Sequence, residues 1–256
     1  MINERVNEEK YNNQGCLMKI VEYKDSRNII VEFQDRYKAK IHTAYDAFKR
    51  GVAKNPYHPS VYGVGMLGVK YPSKVNGKNT KEYITWQNMI KRSFSKKEKE
   101  EHPTYKDVTC CKEWLCFENF YEWLHSQKNF QKWFDGYRWD LDKDILIKGN
   151  KIYSPETCCL VPNNVNKLFV KRDNARGKMP IGVAKNREGF RAECKNPIKN
   201  KIDTSTTYPT IEQAFQEYKV IKENIIKQVA QEEYNKGNIT KKCYDAMMKY
   251  KVEITD

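Results

Sequence analysis

No apolar run in the 256 residues approaches the roughly 18 that a membrane-spanning helix requires. Residues 1–13 have no apolar stretch of the kind a secretory signal carries. The expectation is a chain that is neither exported nor membrane-inserted and works in the cytoplasm. Histidine is scarce, with four in all: His42, His58, His102 and His125. None is paired at i, i+4 around a glutamate, which excludes the helical zinc-protease arrangement. No Gly-x-Ser-x-Gly elbow is present, so the hydrolase nucleophile turn is excluded as well. The eight cysteines include no Cys-x-x-Cys pair, the usual zinc-knuckle spacing. Reduced, buried thiols are expected, with a zinc site from Cys111, Cys116 and Cys158 left open as an alternative. Gly63, Gly65 and Gly68 lie in YGVGMLG, which lacks the Gly-Lys-Ser/Thr ending of a phosphate loop. That segment reads as a glycine-loosened strand.

Positive charge, by contrast, is abundant. Lysine and arginine total 47 against 33 acidic residues, a formal net charge of +14. Aromatics make up 12% of the chain, enough bulky material for a packed core despite the polar composition. A surplus of this size points to a polyanionic partner, most often nucleic acid. A lysine-rich solvated surface would give the same total, so the distribution matters. Residues 1–65 carry 11 basic and 8 acidic groups, whereas 163–201 carry 11 basic and only 3 acidic ones. The local block in 163–201 is the candidate electrostatic footprint.

Three segments follow from the pattern, and together they predict an α+β chain of several domains. Residues 1–68 read as a β-rich N-terminal unit, with β-branched runs at 16–23 and 28–33 around a turn at 24–27. Residues 69–80 read as a polar linker. From 81 the period becomes helical: Tyr83, Trp86, Ile90 and Phe94, then Trp114, Phe117, Tyr121 and Leu124. Residues 137–142 and 158–161 read as short strands, and Pro162 as the first residue of a helix through Val165, Leu168 and Phe169. Residues 181–194 read as a hairpin turning at 186–189, with a third strand near 201–207. Thr210-Ile-Glu-Gln213 is a capping box opening a helix with Phe215, Tyr218, Ile225 and Val229 on one side, closed by Gly237. A shorter helix near 240–249 and a strand or tail at 252–254 complete the chain.

The stretch 139–170 concentrates chemistry. Asp140, Asp142 and Asp144 cluster at a hairpin, ahead of a helix carrying Asn163, Asn164 and Asn166. Carboxylates and an amide oxygen converging from a strand and a helix are what Mg²⁺-assisted phosphodiester chemistry requires. A solvated acidic turn with asparagine caps has the same composition. Both readings stand at this level.

The middle third resembles HNH-type endonuclease proteins of bacteriophages. The resemblance is carried by Trp86-Gln-Asn-Met89, by 105–120 (YKDVTCCKEWLCFENF), by Leu141-Asp-Lys-Asp144 and by Tyr153-Ser-Pro-Glu-Thr-Cys158. It covers roughly 80–170 and implies an HNH-like ββα centre over 81–170. The C-terminal third, 178–256, is similar to an AP2-type DNA-binding domain followed by C-terminal helices. The matching residues are Pro180-Ile-Gly-Val183, Phe190-Arg-Ala192 and Ile211-Glu-Gln-Ala-Phe215. Carried over, the strand aspartate is Asp142, the general-base histidine is replaced by Lys143, the loop position holds Thr157 and the helix position holds Asn166. Lysine is a poor base unless its pKa falls by several units, and neighbouring Asp142 and Asp144 oppose that. The catalytic set implied is Asp142, Lys143 and Asp144, with Asp142 and Asn166 as Mg²⁺ ligands. The AP2-like part implies a three-stranded sheet laid in a DNA groove. Its contacts would come from Lys171, Arg172, Arg176, Lys178, Lys185, Arg187, Arg191 and Lys195, arginines reading bases and lysines neutralising phosphates.

The leading expectation is therefore a double-stranded DNA-binding phage protein, derived from an HNH homing-type endonuclease with a degraded catalytic site. Its alternatives are an active Mg²⁺-dependent HNH-type DNA endonuclease and a phage inhibitor of a host defence nuclease or nucleoprotein, anti-CRISPR proteins being one such class.

Overall fold

The computed structural model describes residues 5–136, 138–170 and 179–256. It is α+β with several small sheets, and it divides into two compact units at the boundary between His125 and Ser126. The 81–170 stretch set apart in the sequence straddles that boundary.

In the first unit, strands β1 (Glu9–Tyr11), β2 (Leu17–Asp25), β3 (Asn28–Phe33) and β4 (Lys40–Thr43) form an antiparallel sheet in sequential order. Alternation places Met18 and Ile20 of β2, and Ile29, Val31 and Phe33 of β3, on one buried face. Helix α1 (Tyr45–Lys49) adds Phe48 to the same core and stops at Gly51, whose φ is +70°. A small hairpin of β5 (Lys74–Val75) and β6 (Lys78–Asn79) precedes α2 (Lys81–Phe94) and α3 (Lys96–Glu101). The two-residue strand β7 (Thr109–Cys110) and α4 (Phe117–Ser126) follow. Thr80 caps α2 by accepting from the Tyr83 amide. The aromatic stripe is core: Trp86 is fully buried, donates Nε1–H to the Trp114 carbonyl at 2.7 Å, and meets Phe117 with ring centroids 5.5 Å apart.

The second unit begins with α5 (Phe130–Asp135) and continues through β8 (Trp139–Asp142), the two-residue β9 (Ile152–Tyr153), β10 (Cys159–Pro162) and α6 (Asn163–Asn166). β8 and β10 pair antiparallel, with Asp142 opposite Cys159 and Asp140 opposite Val161. Strands β11 (Val183–Lys185), β12 (Phe190–Asn196) and β13 (Lys201–Tyr208) form a three-stranded antiparallel sheet. The long α7 (Ile211–Asn235) packs on this sheet, and α8 (Lys241–Lys249) packs on α7. Thr210 caps α7 by accepting from the Gln213 amide, as the capping box predicts. Fully buried Ala192 and Ala214 let helix and sheet approach closely. One hydrophobic core joins Cys159, Val161 and Val165 from the β8–β10–α6 region to Ala192, Phe215, Tyr218, Ile225 and Val229 from the sheet and α7. The Ser/Thr run around 203–207 weakens the strand signal in the sequence, yet it is used in the sheet. At the bulge between Arg191 and Glu193, the Ala192 amide donates to the Ser205 hydroxyl at 2.9 Å in place of a ladder carbonyl.

Three local expectations are corrected, and the choice left open at 252–254 is decided. YGVGMLG is a tight turn, not a strand: Tyr62 and Gly63 both have positive φ, and Val61 bridges back to Gly65. The segment 69–80 is not bare linker, because Asn76-Gly77 builds the β5–β6 hairpin turn with φ of +50° and +75°. The helix expected to begin at Pro162 covers only Asn163–Asn166, with Pro162 itself ending β10. Residues 252–254 carry no strand.

Glycine at 182 is dictated by both backbone and packing. Its φ is +72°, and a Cβ there would lie 2.0 Å from the Tyr218 ring. Gly149 has a similar φ of +77° with nothing within 4 Å of a Cβ. Gly182→Ala is expected to destabilise the protein by about 3 kcal/mol or more, combining left-handed strain with overpacking. Gly149→Ala is expected to cost only about 1–2 kcal/mol, from strain alone. Urea unfolding midpoints of the two variants test the difference, and equal losses would refute the packing argument.

Candidate functional site

The acidic turn after β8 is tightly self-satisfied. Asp142 is buried, and its Oδ1 accepts from the Asp144 and Ile145 amides, both at 2.7 Å. Burial pushes the Asp142 carboxyl up to about 6. Lys143 is buried too, and its ammonium donates to both Asp144 oxygens at 2.8 and 2.9 Å and to the Asn150 carbonyl at 3.1 Å. Its three protons therefore have three acceptors. The Asn150 side chain returns two bonds, donating to the Lys143 and Ile152 carbonyls. Thr157 donates its hydroxyl to the Ile152 carbonyl at 2.6 Å, so it braces the loop backbone instead of orienting the residue at 143.

Asn166, read from the sequence as a partner of Asp142, is joined to Asp140. Asp140 Oδ2 accepts from Asn163 at 2.8 Å and from Asn166 at 3.0 Å. Each carboxylate of the turn has protein donors: Asp140 two side-chain amides on one oxygen, Asp142 two backbone N–H groups on one oxygen, and Asp144 an ammonium across both. Among the described residues, the set of three acidic or histidine groups whose ligand atoms lie within 4.8 Å of one another is elsewhere, at Glu98, Glu101 and His102. Within that set, Glu98 is already ion-paired with Lys91 at 2.5 Å. Cys116 and Cys158 are buried thiols, with burial raising both and carrying Cys158 to about 12.

Of the residues expected to contact nucleic acid, Lys171, Arg172, Arg176 and Lys178 lie outside the described residues. Lys185, Arg187, Arg191 and Lys195 are all exposed on the three-stranded sheet or its first turn. They are not equivalent. Arg191 is held by Glu193 on the same strand, at 2.6 Å from Nη2 and 2.8 Å from Nε. Lys185, Arg187 and Lys195 have no hydrogen bond or ion pair from the side chain among the described residues.

Lys195 also borders a cleft of about 680 Å³ within the second unit. Three further cations line it: Arg138 at the start of β8, Lys167 after α6 and Lys222 from α7. Asn163, Asn164 and Asn200 contribute amides, and no carboxylate lines it among the described residues. Two of the lining amides are themselves donors to acids: Asn163 to Asp140 at 2.8 Å and Asn164 to Glu233 at 3.4 Å. Arg138 and Asn200 both adopt left-handed backbone, with φ of +61° and +51°. Arg138 in this conformation accepts the Asn163 amide on its carbonyl at 2.8 Å, which ties the start of β8 to α6. Burial holds Lys222 below the ordinary lysine range.

Sequence reasoning identified Lys195 but missed Arg138, Lys167 and Lys222. The signal for Lys222 is present in the chain. Phe215, Tyr218, Ile225 and Val229 follow helical 3–4 spacing with one member skipped, and position 222 is that member. Protein-family models, curated proteins and solved structures contain no match to this chain.

The Asp142 environment has a pH consequence. Its folded-state value near 6 lies above the ordinary 3.8, so the folded state holds the proton more tightly than the unfolded chain. The stability this provides is complete below about pH 4 and is lost as pH rises through 6, a change of about 3 kcal/mol. Asp142→Asn keeps an Oδ1 acceptor for the two amides and has no charge to desolvate. The variant is expected to gain stability relative to the parent between pH 4 and 7.5, measured by urea unfolding. A difference that stays constant with pH would show that Asp142 is not the strained acid.

Proposed function

We propose that the protein binds double-stranded DNA through its second unit and lacks a working nuclease centre. The observation that carries this reading is the cleft lined, among the described residues, by four cations and no carboxylate, which shares Lys195 with the sheet bearing Lys185 and Arg187. A concave surface of one sign concentrates a polyanion, because its low-dielectric walls focus the field. The resemblance of 178–256 to an AP2-type domain supports the same reading, as does the resemblance of 80–170 to phage HNH proteins. The protein is accordingly read as phage-derived. Against retained cleavage stand the three acceptors around the Lys143 ammonium and the protein donors that occupy Asp140, Asp142 and Asp144. Arg191, paired with Glu193, contributes less to the contact than Arg187.

The test is one titration of labelled duplex and single-stranded DNA at 50 and 200 mM salt, with EDTA, Mg²⁺ or Mn²⁺. Duplex binding is expected to weaken by about 10³-fold or more between the two salt concentrations if six to eight phosphates are engaged. No products are expected in any metal. Lys185→Ala and Lys195→Ala should each lower the salt slope by about one. Absence of binding at 50 mM salt would overturn the DNA reading and turn attention to a protein partner. Metal-dependent nicking lost in Asp142→Ala would overturn the inactive centre.

A further inference from the structure

We infer that Lys222 is the inner cation of a phosphate-binding subsite, and that the cleft of the second unit takes a phosphate group of a polynucleotide backbone. The phosphate chemistry rests on the cleft itself. Only the identification of its source as DNA rests on the function proposed above.

Helix α7 buries Phe215, Tyr218, Ile225, Ile226 and Val229 against the sheet and the β8–β10 region. Lys222 stands one turn from Tyr218 and one turn from Ile225 on the same stripe, a position that packing alone would fill with an aliphatic residue. Its ammonium has no hydrogen bond or ion pair among the described residues, and its side chain borders the cleft. The titratable neighbour beside it is Cys194, a buried thiol raised by its own burial. A desolvated ammonium without an anion is unfavourable to the folded chain. The lowered lysine range reports the same desolvation.

An anion entering the cleft would reverse that penalty. Lys222 would meet it from the α7 side, Lys195 from the sheet and Lys167 from beyond α6, with Asn200 offering an amide donor at the β12–β13 turn. Phosphate suits this set better than carboxylate, because its several oxygens can accept from donors on three elements at once. The volume holds a phosphate with its flanking sugars, within the range of small-ligand clefts. Pro162, Leu168 and Pro197 supply apolar wall, and among the described residues no aromatic ring lines the cleft as a base-stacking platform. Recognition there is centred on the phosphate and indifferent to the base.

The experiment compares the full chain with Lys222→Met and Lys222→Gln in two assays. The first is the melting temperature with inorganic phosphate or pyrophosphate, against chloride at matched ionic strength. The second is duplex DNA affinity at 50 mM salt. The parent should be stabilised by phosphate and pyrophosphate beyond chloride. Lys222→Met should melt no lower than the parent without ligand, lose the anion-induced shift and bind DNA at least tenfold more weakly. Lys222→Gln, which keeps a polar group, should also lose the shift, so the result does not depend on how methionine packs.

A parent that does not respond to either anion, or variants that respond like the parent, would overturn the subsite. Unchanged DNA affinity in both variants, with the parent binding DNA, would refute the subsite and leave the DNA reading standing. An anion response in the parent that both variants lose, without DNA binding, would sustain the subsite with free phosphate as its ligand and sink the DNA reading.

Discussion

Burial of one face of α7 is the interaction on which the second unit depends. Neither the β8–β10 hairpin with its four-residue α6 nor a three-stranded sheet encloses enough apolar surface to be stable by itself. Both place their apolar residues on the same helix, so Val161 and Val165 share a core with Ala192, Phe215 and Val229. Two segments that resemble separate modules in sequence thereby become parts of one packed body. The glycine at 182 and the alanines at 192 and 214 are consequences of how closely that helix sits.

The same packing decides the fate of the acidic turn. A carboxylate poised for metal chemistry needs open oxygens and a mobile proton partner. Here Asp142 spends one oxygen on two backbone amides in a buried position, and Asp144 spends both on an ammonium. Lys143 reaches the Asn150 carbonyl and Asp144 together, which ties the two sides of the loop. The composition that invites a Mg²⁺ reading is therefore the composition of a well-satisfied turn.

A cleft of the same unit gathers cations instead. Its cations come from the start of β8, the end of α6, the end of β12 and the middle of α7, positions spread from 138 to 222 in the chain. Glu193 pairs with one arginine on the sheet, whereas Lys185, Lys195 and Arg187 have no ion pair among the described residues. The basic block at 163–201 contributes two of the four cleft cations. Arg138 and Lys222 lie outside it, so a window of charge along the sequence finds only half of the set.

Much of the local structure was legible in the sequence. Alternation at 16–23 and 28–33, the aromatic period through 83–94, the hairpin around 186–189 and the capping box at Thr210 all depend on neighbours within a few residues. Those are the distances at which strand pleat, helix period and cap hydrogen bonds operate. The YGVGMLG turn was misread because its cause is partly distant: Gly65 faces the Trp86 ring, and Gly68 backs onto Glu118. The site was legible only as a gap, the missing member of an apolar stripe at 222. That a lysine fills this gap is written in the chain. That it stands beside Lys167, Lys195 and Arg138 was decided by tertiary packing, because no local rule brings four like charges around one cavity.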